Sequence, residues 1–111
     1  MAALDRRKVL RAFRGAVNMD AAELDEWLAT GESRSVGFRR PGCDESVGHL
    51  SGRRIAAILR TPEPALDEED YRHMRRVVGF IRRHRAQEPA NKVTSRWRYS
   101  LMNWGCDPLK D

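Results

Sequence analysis

Leu66-Asp67-Glu68-Glu69-Asp70-Tyr71-Arg72-His73-Met74-Arg75-Arg76-Val77-Val78-Gly79-Phe80-Ile81 decides the fold. Asp67 is placed to cap the free amides of a helix, and the acids after it complement the helix dipole. Leu66 can staple onto Tyr71. Tyr71, Met74, Val77, Val78 and Ile81 recur at helical spacing and form one apolar face. The pattern predicts a long helix running to about Gln87 and closed by Pro89.

The same period continues on both sides. Trp97, Leu101 and Trp104 stand at i, i+4 and i+7, predicting a last helix over 95–104, capped by Thr94 and stopped by Gly105 with Pro108 beyond. Upstream, Ile55, Ile58 and Leu59 predict a short helix over 53–60, broken by Thr61-Pro62-Glu63-Pro64. Asp20 and Glu23 have capping-box spacing, with Met19 and Leu24 as a staple. The helix they start buries Leu24, Trp27 and Leu28, keeps Glu23, Asp25 and Glu26 outside, and ends at Gly31. Residues 4–17 predict a first helix, with Val9, Leu10, Phe13, Ala16 and Val17 opposite Arg7, Arg11 and Arg14. No alternating stretch is long enough for a strand. The expected fold is all-α, a compact bundle of about five helices in a single helical domain, 1–111.

Chain length allows one core and not two, and 41% hydrophobic against 33% charged residues suits a globular chain. No run approaches the roughly 18 apolar residues of a membrane span, so no membrane partner is expected. Met1-Ala2-Ala3-Leu4-Asp5-Arg6-Arg7-Lys8 has no apolar core behind its charges, which does not read as a secretory signal. Cys43 and Cys106 lie far apart without metal-like spacing. Two reduced thiols and a cytoplasmic location are the expectation, with one disulfide as the alternative.

Residues 31–52 carry five of the eight glycines, and Glu-Ser…Val-Gly occurs twice, from Glu32 to Gly37 and from Glu45 to Gly48. This predicts a long Gly/Ser-rich surface loop between helices, a kind of segment that is commonly functional. It ends in Gly48-His49-Leu50-Ser51-Gly52-Arg53-Arg54, which reads as a helix start where Ser51 caps, Gly52 allows close approach and the arginines supply charge. Arg39 and Arg40 lie within the same loop.

Formal net charge is +5, and 18 of the 21 basic residues are arginine, whose planar fork grips phosphate bidentately. GC-rich codon usage would also favour arginine, so placement matters more than number. From Tyr71 to Arg98 nine basic residues face one acid, Glu88. Arg72, Arg76 and Arg83 cluster opposite the apolar face of the long helix, where unrelieved like charge carries a small helix penalty. A polyanion is the implied partner.

Catalytic and metal readings find little support. His49, His73 and His84 do not make a ligand set, and no Walker loop or nucleophile elbow is present. Glu32 and Glu45 are read as acids that hold the loop in shape. No enzyme activity and no cofactor are expected. Trp97, Tyr99 and Trp104 stand among arginines, as stacking on single strands would require, but Trp97 and Trp104 share the core face with Leu101. Tyr99 and Arg96 remain as outward candidates.

Asn18-Met19-Asp20-Ala21-Ala22-Glu23-Leu24-Asp25-Glu26-Trp27-Leu28, Glu32-Ser33-Arg34-Ser35-Val36-Gly37, Glu45-Ser46-Val47-Gly48-His49-Leu50-Ser51-Gly52-Arg53-Arg54-Ile55, His73-Met74-Arg75-Arg76-Val77-Val78-Gly79 and Arg96-Trp97-Arg98-Tyr99-Ser100-Leu101-Met102-Asn103-Trp104-Gly105-Cys106-Asp107-Pro108-Leu109-Lys110 together form a pattern. It resembles the uncharacterised bacterial and fungal family catalogued as domain of unknown function 3140, over roughly residues 9–110. Cys106 stands where that family more often has histidine. Members are often labelled DNA-binding protein, so the resemblance implies DNA as a partner.

Arginine placement and resemblance together lead to one expectation. The chain is a non-enzymatic, nucleoid- or stress-associated DNA-binding protein that contacts mainly the phosphate backbone, with low sequence specificity. Arg53 and Arg54, with His49 and Ser51, would meet phosphate at a helix start. Arg39 and Arg40 would reach from the loop, Arg72, Arg76 and Arg83 would track the backbone, and Arg96 would add to the same surface. The alternative is a protein-interaction or self-assembly module, a homodimer included, docking through residues 31–54.

Overall fold

Asp67 and Asp70 close a capping box at the start of the long helix: Asp67 Oδ1 accepts from the Asp70 amide at 2.9 Å, and Asp70 Oδ2 accepts from the Asp67 amide at 3.0 Å. The helix that follows carries Tyr71, Met74, Val77, Val78 and Ile81 into the core, as its period predicts. In the computed structural model, residues 5–110 are described. They form α1 (Arg6–Ala16), α2 (Ala21–Leu28), α3 (Gly31–Arg34), α4 (Val47–Arg60), a 3-10 turn (Glu63–Ala65), α5 (Glu68–Arg85) and α6 (Arg96–Asn103). Among the described residues there is no strand, and the fold is an all-α bundle. The expected helix start at Leu4 lies outside the described residues; within them Asp5 caps α1.

The α1 helix lies along α5 and α2 along α4, while α6 touches α2, α3, α4 and α5. Their inner faces form one apolar cluster that includes Phe13, Leu24, Ile55, Met74, Val77 and Leu101. The radius of gyration is 13.8 Å, close to the roughly 13 Å of a folded chain of 100 residues. Asn103, 1% exposed at the end of α6, pins α3 to the bundle. Its Oδ1 accepts from Trp27 Nε1 at 2.8 Å and Ser33 Oγ at 2.5 Å, and its Nδ2 donates to the Ser33 carbonyl at 3.0 Å.

After α6 the chain is tied back to the α1–α2 junction. Gly105, at φ +86°, accepts the Asn18 and Met19 amides on its carbonyl. Asn18 also exchanges two hydrogen bonds with the Asp107 backbone, at 2.9 and 2.8 Å. Arg98 grips the Asp107 carboxylate with both Nε and Nη2. Burial works against that carboxyl's charge, but the Arg98 hydrogen bonds outweigh it and hold its pKa below the usual range. Both cysteines are free: Cys43 is exposed, whereas Cys106 is buried and accepts from Arg85 Nη1 at 3.3 Å.

Three expected boundaries are corrected. Gly31 begins α3, capped by Thr30, rather than ending α2. Ser95, one residue after the expected Thr94, caps α6. The largest correction concerns α4, which starts at Val47 rather than near Arg53, so the irregular segment shrinks to 35–46. Ser46 is the cap, its Oγ accepting from the His49 amide at 3.0 Å. The glycines that read as loop residues lie inside α4 because neighbouring elements press on them. A Cβ at Gly52 would stand 2.5 Å from the Asn103 carbonyl oxygen and 2.7 Å from Leu28 Cδ2. One at Gly48 would stand 2.9 Å from Trp104 Nε1.

Candidate functional site

Adjacent arginines of the 35–46 segment and of α4 diverge into two groups. Arg40-Pro41-Gly42-Cys43 forms a turn in which the Cys43 amide donates to the Arg40 carbonyl at 3.0 Å and Gly42 takes φ +80°. Proline second and glycine third are what a type II turn requires. A 2.8 Å bond from the Val47 amide to the Phe38 carbonyl fastens the segment to the start of α4. Neighbours on a helix point about 100° apart, so Arg53 and Arg54 leave α4 in different directions.

On one side, Arg34, Arg39 and Arg53 line a pocket of about 230 Å³ together with Asp44 and Glu45. Arg53 Nε donates to Glu45 at 2.5 Å, and Arg39 Nη2 donates to the Arg34 carbonyl at 2.6 Å. Glu45 also bonds His49 Nδ1, while His49 Nε2 faces the Leu28 carbonyl at 2.7 Å. Burial opposes the charge on Glu45, but the bonds from His49 and Arg53 prevail and keep its carboxyl below the usual pKa range. Glu45 thus holds the local shape, as expected. His49 is corrected as a phosphate contact: it is 2% exposed and both ring nitrogens are engaged inside the protein.

On the other side, Arg40, Arg54 and Arg76 converge on a groove of about 190 Å³ floored by Leu50, Ser51 and His73. Arg54 has a carboxylate partner, Asp70, at 3.3 Å. Among the described residues, neither Arg40 nor Arg76 has a carboxylate within 4.0 Å. Ser51 is corrected as a helix cap. It sits one turn inside α4, is 4% exposed, and its hydroxyl meets His73 Nε2 at 2.9 Å. Burial, and then the charges of Arg54 and Arg76, press the His73 pKa down from 6.5 to about 4. His73 is therefore neutral at pH 7, and its Nε2 shares one hydrogen bond with the Ser51 hydroxyl. A serine beside a neutral histidine resembles a nucleophile and its base, but a nucleophile must be reachable and Ser51 is buried.

The remaining arginines contribute unequally. Arg72 is tied to Glu68 at 3.4 Å and Glu69 at 3.8 Å. Arg83 folds back over Gly79, its Nη1 3.0 Å from where a Cβ would be. Arg96 is exposed at the first residue of α6. Of the ten residues expected at the site, the structure gathers Arg40, Ser51, Arg54 and Arg76 in one groove. It brings Arg39, His49 and Arg53 to the other pocket.

Sequence reasoning missed the aromatic group beside the groove. His84, Phe80 and Trp104 are stacked, with centroids 4.6 Å apart for His84–Phe80 and 4.3 Å for Phe80–Trp104. His73 continues the column beyond Trp104 at 6.4 Å. A largely apolar cavity of about 390 Å³ lies against Phe80 and Trp104 and reaches Phe38, which is 69% exposed. The spacing of His73, Phe80 and His84 on one flank of α5 was the available signal. Tyr99 is no free platform: it is half-buried, 5.5 Å from the Trp27 ring. Trp97 packs against the core and donates to the His84 carbonyl at 2.5 Å.

Fold and site define an all-helical domain with an arginine-lined groove beside an aromatic cavity. The chain belongs to the family described as "Protein of unknown function (DUF3140)", whose profile matches residues 12–102. No curated protein and no solved structure matches it.

Proposed function

We propose that this domain binds DNA through the phosphate backbone, without catalysing a reaction and with little sequence preference. The observation that carries the reading is the convergence of Arg40, Arg54 and Arg76 on one groove, two of them without a carboxylate partner among the described residues. Arginines held together without acids repel one another, and a phosphate relieves that repulsion while accepting two parallel hydrogen bonds. Burial lowers the His73 pKa most, and the nearby charges of Arg54 and Arg76 lower it further. Arg39 and Arg53 form a second, partly neutralised arm, and Arg83 and Arg96 extend the basic surface. The proposed setting is the cytoplasm, on the nucleoid.

Titration of labelled random-sequence DNA, duplex and single-stranded, across a salt series tests the reading. Neutralising about five phosphates gives a log–log slope near −4.5 on duplex. Absence of binding to either form at low salt would overturn the proposal. The 35–46 segment and its exposed Phe38 would then become the surface for a protein partner or a second copy.

A further inference from the structure

Groove and cavity are neighbours. Val47 and Trp104 line both, so the arginine groove on one side of Trp104 opens beside the cavity on the other. The two halves have opposite chemistry: three guanidinium groups in the first, and mainly apolar surface against Phe80 and Trp104 in the second. Phe38 stands at the second half and is the most exposed large hydrophobic side chain among those described. Its place is set from both ends, by Gly37 at φ +96° before it and by the bond from the Val47 amide to its own carbonyl. An exposed phenylalanine held by its backbone, next to a largely apolar cavity and three cations, suits a ligand that is flat and apolar at one end and anionic at the other.

Resting on the DNA reading, we infer that the occupant is single-stranded nucleic acid, with a phosphate held by Arg40, Arg54 and Arg76 and the neighbouring base taken into the cavity, stacked on Phe38 and bordered by Phe80 and Trp104. In a duplex the base is paired and stacked on its neighbours, and only the phosphate half of the site can be filled. An unpaired strand fills both halves. Base–aromatic stacking accepts any base, because every base has a π-face, so the site adds a preference for unpaired strands without adding sequence specificity.

The experiment compares the whole protein on three labelled probes: a short single strand of mixed sequence, its duplex, and the same strand carrying stable abasic residues. The abasic strand keeps every phosphate and loses the bases. The intact strand is expected to bind at least about five-fold more tightly than the abasic one. Phe38→Ala should abolish most of that difference while leaving affinity for the abasic strand unchanged, and Phe38→Tyr should retain it. Phe38 is exposed, so neither change threatens the fold. Equal binding of intact and abasic strands overturns the base site and leaves backbone binding standing. So does duplex binding as tight as the single strand, or a Phe38→Ala protein with its base preference intact. No binding to any probe overturns the DNA reading itself, and this inference with it.

Discussion

Asn103, on α6, ties both α2 and α3 to the bundle through one side chain. It is a buried amide whose oxygen serves two donors, Trp27 Nε1 and Ser33 Oγ, and whose nitrogen serves the Ser33 carbonyl. Replacing it with leucine keeps an apolar volume but strands the Ser33 hydroxyl, itself 0% exposed. An unpaired buried group costs about 1–3 kcal/mol, so Asn103→Leu should lower the denaturant midpoint clearly, whereas Ser35→Ala on the exposed end of α3 should not. His73 gives the second residue-scale expectation. Its folded pKa of about 4 lies below the 6.5 of the free side chain, so between those values the unfolded chain holds more protons than the folded one. Stability therefore rises with pH across that window and is lost as pH falls through it. Thermal melts should show a shallower dependence between pH 4 and 6.5 for His73→Gln than for the wild type. His84, also lowered by burial, keeps some slope of the same sign in the variant.

At the scale of elements, the α4–α6 crossing explains which parts of the fold could be read in advance. The α2 and α5 helices announce themselves through an apolar period and an acid pair that closes a capping box, and both boxes are present. The first turns of α4 hold Gly48, Ser51 and Gly52, residues that local propensity assigns to turns and caps. The small size of Gly48 and Gly52 is instead required by Trp104, Asn103 and Leu28, contacts distant in the chain and invisible to a local pattern. The four-residue α3 is too short to show a period and is held by the Asn103 bonds in addition to its Thr30 cap. Two glycine substitutions should separate these causes. Gly→Ala within a helix normally stabilises by up to about 1 kcal/mol, and Gly15→Ala in α1, with nothing within 4 Å of the new Cβ, should gain about that much. Gly52→Ala meets backbone at 2.5 Å, and overpacking of about 1–3 kcal/mol should outweigh the propensity gain. Opposite shifts in melting temperature are the expected result.

For the molecule as a whole, the candidate site was readable in its parts but not in its grouping. Arginine clusters at 39–40, 53–54 and along α5 stand out in the chain, yet nothing local says that Arg40 joins Arg54 and Arg76 while Arg39 joins Arg53. That sorting follows from the turn at Pro41-Gly42 and from the angular step along α4, and it separates a groove in which two arginines have no acid partner among the described residues from a pocket that Asp44 and Glu45 partly neutralise. Phe38 shows the same limit. Within its own sequence it is one apolar residue in a Gly/Ser-rich stretch, and only the fold sets it beside Phe80 and Trp104. Asp25 on α2 pairs with Arg60 at 2.5 Å, at the far end of α4 from the groove. A groove arginine and a distant arginine already paired with an acid should therefore contribute unequally to polyanion binding. The salt dependence of duplex binding by the wild type, by Arg76→Ala and by Arg60→Ala tests this most directly. The wild type and Arg60→Ala should share a log–log slope near −4.5, and Arg76→Ala, with one phosphate contact fewer, should fall to about −3.6. No binding at low salt, or an Arg76→Ala slope equal to that of the wild type, would contradict the assignment of the Arg40, Arg54 and Arg76 groove to DNA phosphate.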